Sequence, residues 1–142
     1  MDISVVVDAS VWVSWYIQQD VHHRASRLWL DRYTAQGGFL IAPMFLLVEV
    51  AGAISRQKGD SKLARQVIKD IYYYDAMRIL TLKDTLMWAS VEIAADLELR
   101  AGDTTYIAVA HQYHLPLVSW DKEQLRKASS LTPTYTPDEY PF

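Results

Sequence analysis

Four carboxylates in this 142-residue chain are placed where they could do chemistry together. Asp8 closes the apolar run Val5-Val6-Val7, Asp121 closes Leu117-Val118-Ser119-Trp120, and Asp103 follows Gly102 where a helix is expected to open. Glu49 lies inside Phe45-Leu46-Leu47-Val48-Glu49-Val50-Ala51-Gly52-Ala53, with Phe45, Leu46, Gly52 and Ala53 one helical turn away. Taken singly, each Asp is explained as a helix cap that accepts backbone N–H bonds, and Glu49 by one salt bridge to an arginine. Glutamate is almost never buried alone, however, and an ionised carboxylate on an apolar helical face needs a cation. Taken together, three Asp at one sheet edge and a Glu aimed at them form an acidic pocket whose mutual repulsion calls for a divalent ion. With oxygen donors and no cysteine in the chain, that ion is expected to be Mg²⁺ or Mn²⁺ rather than Zn²⁺. The chemistry that suits such a pocket is metal-assisted phosphodiester hydrolysis.

The elements that must position these groups follow from periodicity. Ile3 to Val7 predicts a strand buried on both faces, as in parallel sheets. Val11 to Ile17 predicts a short helix, and His22 to Gln36 a longer one that Gly37-Gly38 terminates. Phe39 to Ala42 is a second strand, and Pro43 suits the first turn of a helix running through Arg56 to Gly59. Asp60 and Ser61 cap a fourth helix that turns Leu63, Val67, Ile68 and Ile71 inward, so helices three and four form a hairpin. Arg78 to Leu82 and Leu115 to Trp120 are further strands. Helices are expected over Thr85 to Leu99, Thr104 to Tyr113 and Glu123 to Ala128. This alternation predicts one domain over residues 1–142, a three-layer α/β/α sandwich around a central parallel sheet with a Pro- and Tyr-rich tail over 132–142. Ligands of open α/β sheets bind outside the carboxyl ends of the strands, where Asp8 and Asp121 fall.

Composition narrows the function. Fourteen Lys and Arg against seventeen Asp and Glu give a net charge of −3, which argues against a duplex-DNA coat protein but leaves room for a local basic patch. The absence of cysteine excludes thiol catalysis, thiolate zinc sites and disulfide scaffolds. No leader pattern and no run approaching ~20 apolar residues are seen, so a cytoplasmic protein without a membrane span is expected. Lys58, Lys62, Arg65 and Lys69 recur at helical spacing and would bind a phosphate backbone or simply form a solvated face. Trp12, Trp15, Tyr16 and Ile17, with Tyr72, Tyr73 and Tyr74, are candidates for partner contacts as well as core. His111 and His114 suit a helix C-terminus better than a metal.

The segments Val5 to Val11, Pro43 through Ala51, Gly102 to Ala110 and Leu117 to Asp121 resemble the PIN domain, and most closely its toxin ribonucleases of the VapC type. The resemblance runs in order from about residue 4 to about residue 128. It implies a PIN-like sandwich, Mg²⁺- or Mn²⁺-dependent endoribonuclease activity, a homodimer and, for toxins, a small inhibitory antitoxin. Asp8, Glu49, Asp103 and Asp121 match the family's acidic set, as metal ligands and catalytic residues. Ser10 matches its small hydroxyl residue two after the first Asp, and Ser119 the Thr or Ser before the last. Both would orient carboxylates by hydrogen bonds. Thr104 departs from the family's usual small apolar residue and leaves the acidic set untouched. The alternatives are an RNA-processing PIN nuclease without an antitoxin and a catalytically weak scaffold that binds RNA or protein. Ser10, where a haloacid-dehalogenase phosphatase needs a second Asp, and Trp120-Asp121, where a receiver domain needs its Lys, disfavour those two enzymes.

Overall fold

A computed structural model describes residues 3–142. Val5, Val6 and Val7 are fully buried, as a strand covered on both faces requires. They lie in β1 (Ser4–Val7), the centre of a five-stranded parallel sheet with β2 (Phe39–Pro43), β3 (Met77–Leu80), β4 (Leu117–Val118) and β5 (Thr134–Tyr135). The spatial order is β3-β2-β1-β4-β5. The chain therefore walks outward from β1 through β2 and β3, then returns to the other side of β1 for β4 and β5. That reversal makes the β1–β4 boundary a topological switch point, where crossovers diverge and leave a crevice beyond the strand ends. Val7 pairs with Val118, and Asp8 N donates to Val118 O at 3.0 Å.

Among the described residues seven helices flank the sheet: α1 (Ala9–Tyr16), α2 (His23–Ala35), α3 (Phe45–Lys58), α4 (Ser61–Tyr72), α5 (Asp84–Leu97), α6 (Ala101–Gln112) and α7 (Lys122–Ala128). Thr104 through Ala110 of α6 are all buried, and this helix packs on β1 and β2. The expected hairpin of α3 and α4 is present; Gly59 closes α3 at φ 62°, and Asp60 caps α4 by accepting from Leu63 N at 3.0 Å. Among the described residues no helix is long and apolar enough to cross a membrane.

Several local expectations change. Pro43 ends β2 rather than opening a helix: it pairs with Leu80, and Met44 N donates to Leu80 O at 2.9 Å, so the ladder continues until α3 begins at Phe45. Helix α6 begins at Ala101, three residues earlier than expected, which puts Asp103 inside its first turn. The segment 132–142 is structural. It supplies β5 and a 3₁₀ turn at Pro137–Glu139, and the Tyr140 ring meets Trp29, Tyr33 and Tyr135 edge-on. Trp12 and Ile17 are buried, and Trp12, Trp15 and Tyr74 form an edge-to-face cluster, so the aromatics of α1 serve the core. Tyr72 and Tyr73 remain exposed.

Candidate active site

The crevice at the switch point is built by hydrogen bonds that join the ends of β1 and β4. Asp8 caps α1: its Oδ2 accepts from Ser10 N at 3.0 Å and from Ser119 Oγ at 3.1 Å. Ser119 Oγ also accepts from Asp121 N at 3.0 Å, and Ser10 Oγ from Trp120 N at 3.0 Å. The two serines thus orient the first and last acids, Asp8 through its side chain and Asp121 through its backbone. Asp121 caps α7, accepting from Glu123 N and Gln124 N, each at 3.1 Å. The buried Gln124 side chain donates to Asp103 O at 3.3 Å, tying α7 to the first turn of α6.

Glu49 comes from the middle of α3 and accepts a 2.7 Å bond from the Tyr106 hydroxyl of α6. Gly102 permits the approach of the two helices. A Cβ there would stand 2.7 Å from the Phe45 ring and 3.2 Å from Glu49 Oε2. Asp8, Glu49, Asp103 and Asp121 line one cleft of about 570 Å³, together with Ser10, Asp20, His22, Arg56 and Trp120 among others.

Burial, more than any other cause, pushes the Asp8 carboxyl above the ordinary Asp range, against the lowering effect of its hydrogen bonds. Burial also lifts Glu49 to about 7; the Tyr106 bond opposes this, and the charges of Asp8 and Asp103 add to it. Asp103 is raised by burial and then by Asp8 and Asp121, against Arg100 and Lys127. The only ion pairs among the described residues join Glu123 to Arg126 and Lys127, so none of the four acids has a salt-bridge partner. The arginine considered for Glu49 is replaced by a neutral hydroxyl, which satisfies a lone pair and leaves the charge uncompensated.

This donor set fits a hard divalent cation: every donor is a carboxylate oxygen, and a cation would offset the burial that raises Asp8, Glu49 and Asp103 and the repulsion that adds to it at Glu49 and Asp103. Among the described residues no three acidic or imidazole side chains converge into a closed ligand cage. A Mg²⁺ ion that keeps several waters would need only one or two of these carboxylates as direct ligands, with the others in reach through water.

The remaining sequence candidates lie elsewhere. Lys58, Lys62, Arg65 and Lys69 are exposed along the α3–α4 hairpin and do not line the cleft; Lys58 donates to Gln19 Oε1 at 3.0 Å. The cation that does line it is Arg56, seven residues after Glu49 and hence on the same helical face, a spacing that could have marked it. Tyr106 sits one turn after Asp103, but its partner is 57 residues away. His111 Nδ1 lies 3.1 Å from Leu131 O, outside the cleft.

The profile of the PIN domain matches residues 5–130. No curated protein is detectably similar in sequence. Among solved structures, the chain resembles VapC20 of Mycobacterium tuberculosis, described as a Sarcin-Ricin loop cleaving toxin. The two are 18% identical, 96% of this chain and 99% of that one are covered, and the TM-score is 0.74. It also resembles a chain of VapBC2 from Rickettsia felis, bound to a DNA fragment from its promoter, at 12% identity, 94% and 98% coverage and a TM-score of 0.73. PAE2754 from Pyrobaculum aerophilum is 19% identical over 97% of this chain and 93% of that one, with a TM-score of 0.69. At such identities the likeness is one of fold, but the profile covers most of the sequence, and the chain belongs to the PIN domain family.

Proposed function

We infer that this PIN domain is an endoribonuclease dependent on a divalent metal ion, Mg²⁺ or Mn²⁺, and that it is the toxin of a toxin–antitoxin pair acting in the cytoplasm. The observation that carries this reading is the convergence of Asp8, Glu49, Asp103 and Asp121, from four separate elements, on one cleft in which no cation pairs with them. Those four residues would hold the ion, which when bound supplies positive charge at the scissile phosphate and eases deprotonation of the attacking water. The chain's own residues do the positioning. Ser10 and Ser119 orient Asp8, Tyr106 orients Glu49, and Gln124 fixes the turn that carries Asp103. Glu49, held at about 7, releases protons as a cation binds, so occupancy of the site rises with pH. Arg56 offers the cleft a guanidinium for a phosphate oxygen. Lys58, Lys62, Arg65 and Lys69 would meet flanking RNA further out.

The similar structures support the same reading: one is a Sarcin-Ricin loop cleaving toxin and another a toxin–antitoxin complex from Klebsiella pneumoniae. Met44, Phe45 and Val48 on or beside α3 and Met87, Trp88 and Val91 on α5 are exposed, and such apolar surface suits a homodimer or an antitoxin contact. The test is cleavage of total RNA by purified protein with EDTA, Mg²⁺ or Mn²⁺, run beside Asp8→Asn. Metal-dependent cleavage lost in the variant is the expected result. A folded, inhibitor-free protein that cuts no RNA with either metal overturns the nuclease in favour of a binding scaffold.

A further inference from the structure

The acidic chemistry has no use for an aromatic pair, yet the cleft contains one. The rings of His22 and Trp120 are stacked, with centroids 3.8 Å apart and planes 7° from parallel, and both residues line the carboxylate cleft. Trp120 directly precedes Asp121 and is fixed at two points: its backbone N–H donates to Ser10 Oγ at 3.0 Å and its indole Nε1–H to Ser26 Oγ at 2.8 Å. Ser26 is itself buried against Ser14, their hydroxyls 2.6 Å apart. His22 arrives on the turn between α1 and α2, where its N–H donates to Asp20 Oδ1 at 2.8 Å. Both residues are partly buried. The core aromatics of α1 pack edge-to-face and the buried Trp29–Tyr33 pair is stacked; the His22–Trp120 stack differs in being only partly buried and in lining the cleft, where another flat ring can be laid against it.

Charge points the same way. Before a cation is bound, a cleft walled by carboxylates repels a polyanion, so contacts that do not depend on charge would add to what the ion and Arg56 supply. Base–aromatic stacking is one, at roughly 1–3 kcal/mol per base and with little sequence preference.

We propose that a nucleobase next to the scissile phosphate stacks on the His22 ring and extends the His22–Trp120 pair. For this stack to form, that base must be unstacked from its RNA neighbours. This rests on the nuclease reading above. His22 and Trp120 act on substrate binding, while the carboxylates serve the chemistry.

The experiment uses a short single-stranded RNA that the protein cuts once. A single abasic site is moved nucleotide by nucleotide across the cut, for wild type, His22→Ala and His22→Phe, with the same sequence also offered as a duplex. In wild type, one abasic position within two nucleotides of the cut is expected to raise KM about tenfold with kcat little changed. His22→Ala should show the same loss on intact RNA and no further loss on the abasic strand, His22→Phe should restore binding, and the duplex should be cut poorly. Equal KM for intact and abasic RNA at every position in wild type overturns the proposal whatever the variants do. So does an abasic penalty that persists undiminished in His22→Ala, or a His22→Phe protein as weak as His22→Ala. If no RNA is cut with either metal, the nuclease reading and this proposal fall together; cleavage indifferent to the ring overturns the stacking alone.

Discussion

Glu49 and Glu123 are the same side chain in opposite surroundings. On the open face of α7, Glu123 is held below the ordinary Glu range, chiefly by its hydrogen bond to Arg126, with an N–O contact of 2.6 Å, and by Lys127 at 3.7 Å. In the cleft, Glu49 is raised to about 7 by burial and by two other carboxylates, with only a tyrosine hydroxyl for company. Local i,i+3 and i,i+4 pairing readily matches a carboxylate on α7. Leaving Asp8, Glu49 and Asp103 unmatched at the switch point costs stability, and perturbed groups gathered in a cleft are the arrangement expected of a site rather than of a scaffold.

The contrast is broken most sharply by exchanging charge in each place. Glu49→Gln should lower metal-dependent RNA cleavage by on the order of a hundredfold, about 3 kcal/mol of transition-state stabilisation. Glu123→Gln should leave kcat/KM within about twofold, since exposed ion pairs contribute little. An effect between these two is expected of Tyr106→Phe, which removes the bond that orients Glu49 but keeps the ring: cleavage or Mn²⁺ affinity should fall roughly tenfold with circular dichroism unchanged. Gly102→Ala tests the closeness of α6 to α3. Its Cβ must displace Phe45 and crowd Glu49, so activity should drop about tenfold while the protein still folds.

The smallest effect is on stability. Because the folded pKa of Glu49 lies above its unfolded value, its contribution is fully present below about pH 4.5 and is lost as pH rises through about 7. In EDTA above pH 7, Glu49→Gln should therefore be more stable than wild type by on the order of 1 kcal/mol once solvent screening of a half-exposed group is allowed for. Thermal melts would show it as a gain of a few degrees. Glu123, with a lowered pKa, acts in the opposite sense: its contribution is present above its unfolded pKa and fades as pH falls below it. A stability difference between wild type and Glu49→Gln that stays the same from pH 5 to pH 8 would contradict the raised pKa described for Glu49.

What was legible in the sequence was what local pattern controls. Val5-Val6-Val7 announced a strand covered on both faces, and Glu49 amid Leu46, Val50 and Ala53 announced a carboxylate that needed something outside its own helix. The partners were not legible, because they are set by packing between distant segments. Tyr106 reaches Glu49 across 57 residues, the indole of Trp120 finds Ser26 across 94, and Gln124 meets Asp103 across 21. The stripe at Lys62, Arg65 and Lys69 drew attention because it is periodic, but periodicity reports a helical face and not what that face points at; Arg56, a single residue, is the cation at the cleft. Strand β5 was hidden by brevity. Two residues, with Pro133 just before them and Pro137 just after, carry no alternation to read.

The central claim is that the unmatched carboxylates hold a divalent cation, and calorimetric titration of Mn²⁺ into metal-free protein at pH 7.5 tests it most directly. The account predicts saturable binding with proton release in wild type, the same binding in Glu123→Gln, and its loss in Asp8→Asn. Equal binding by wild type and Asp8→Asn, or none by wild type, would contradict it.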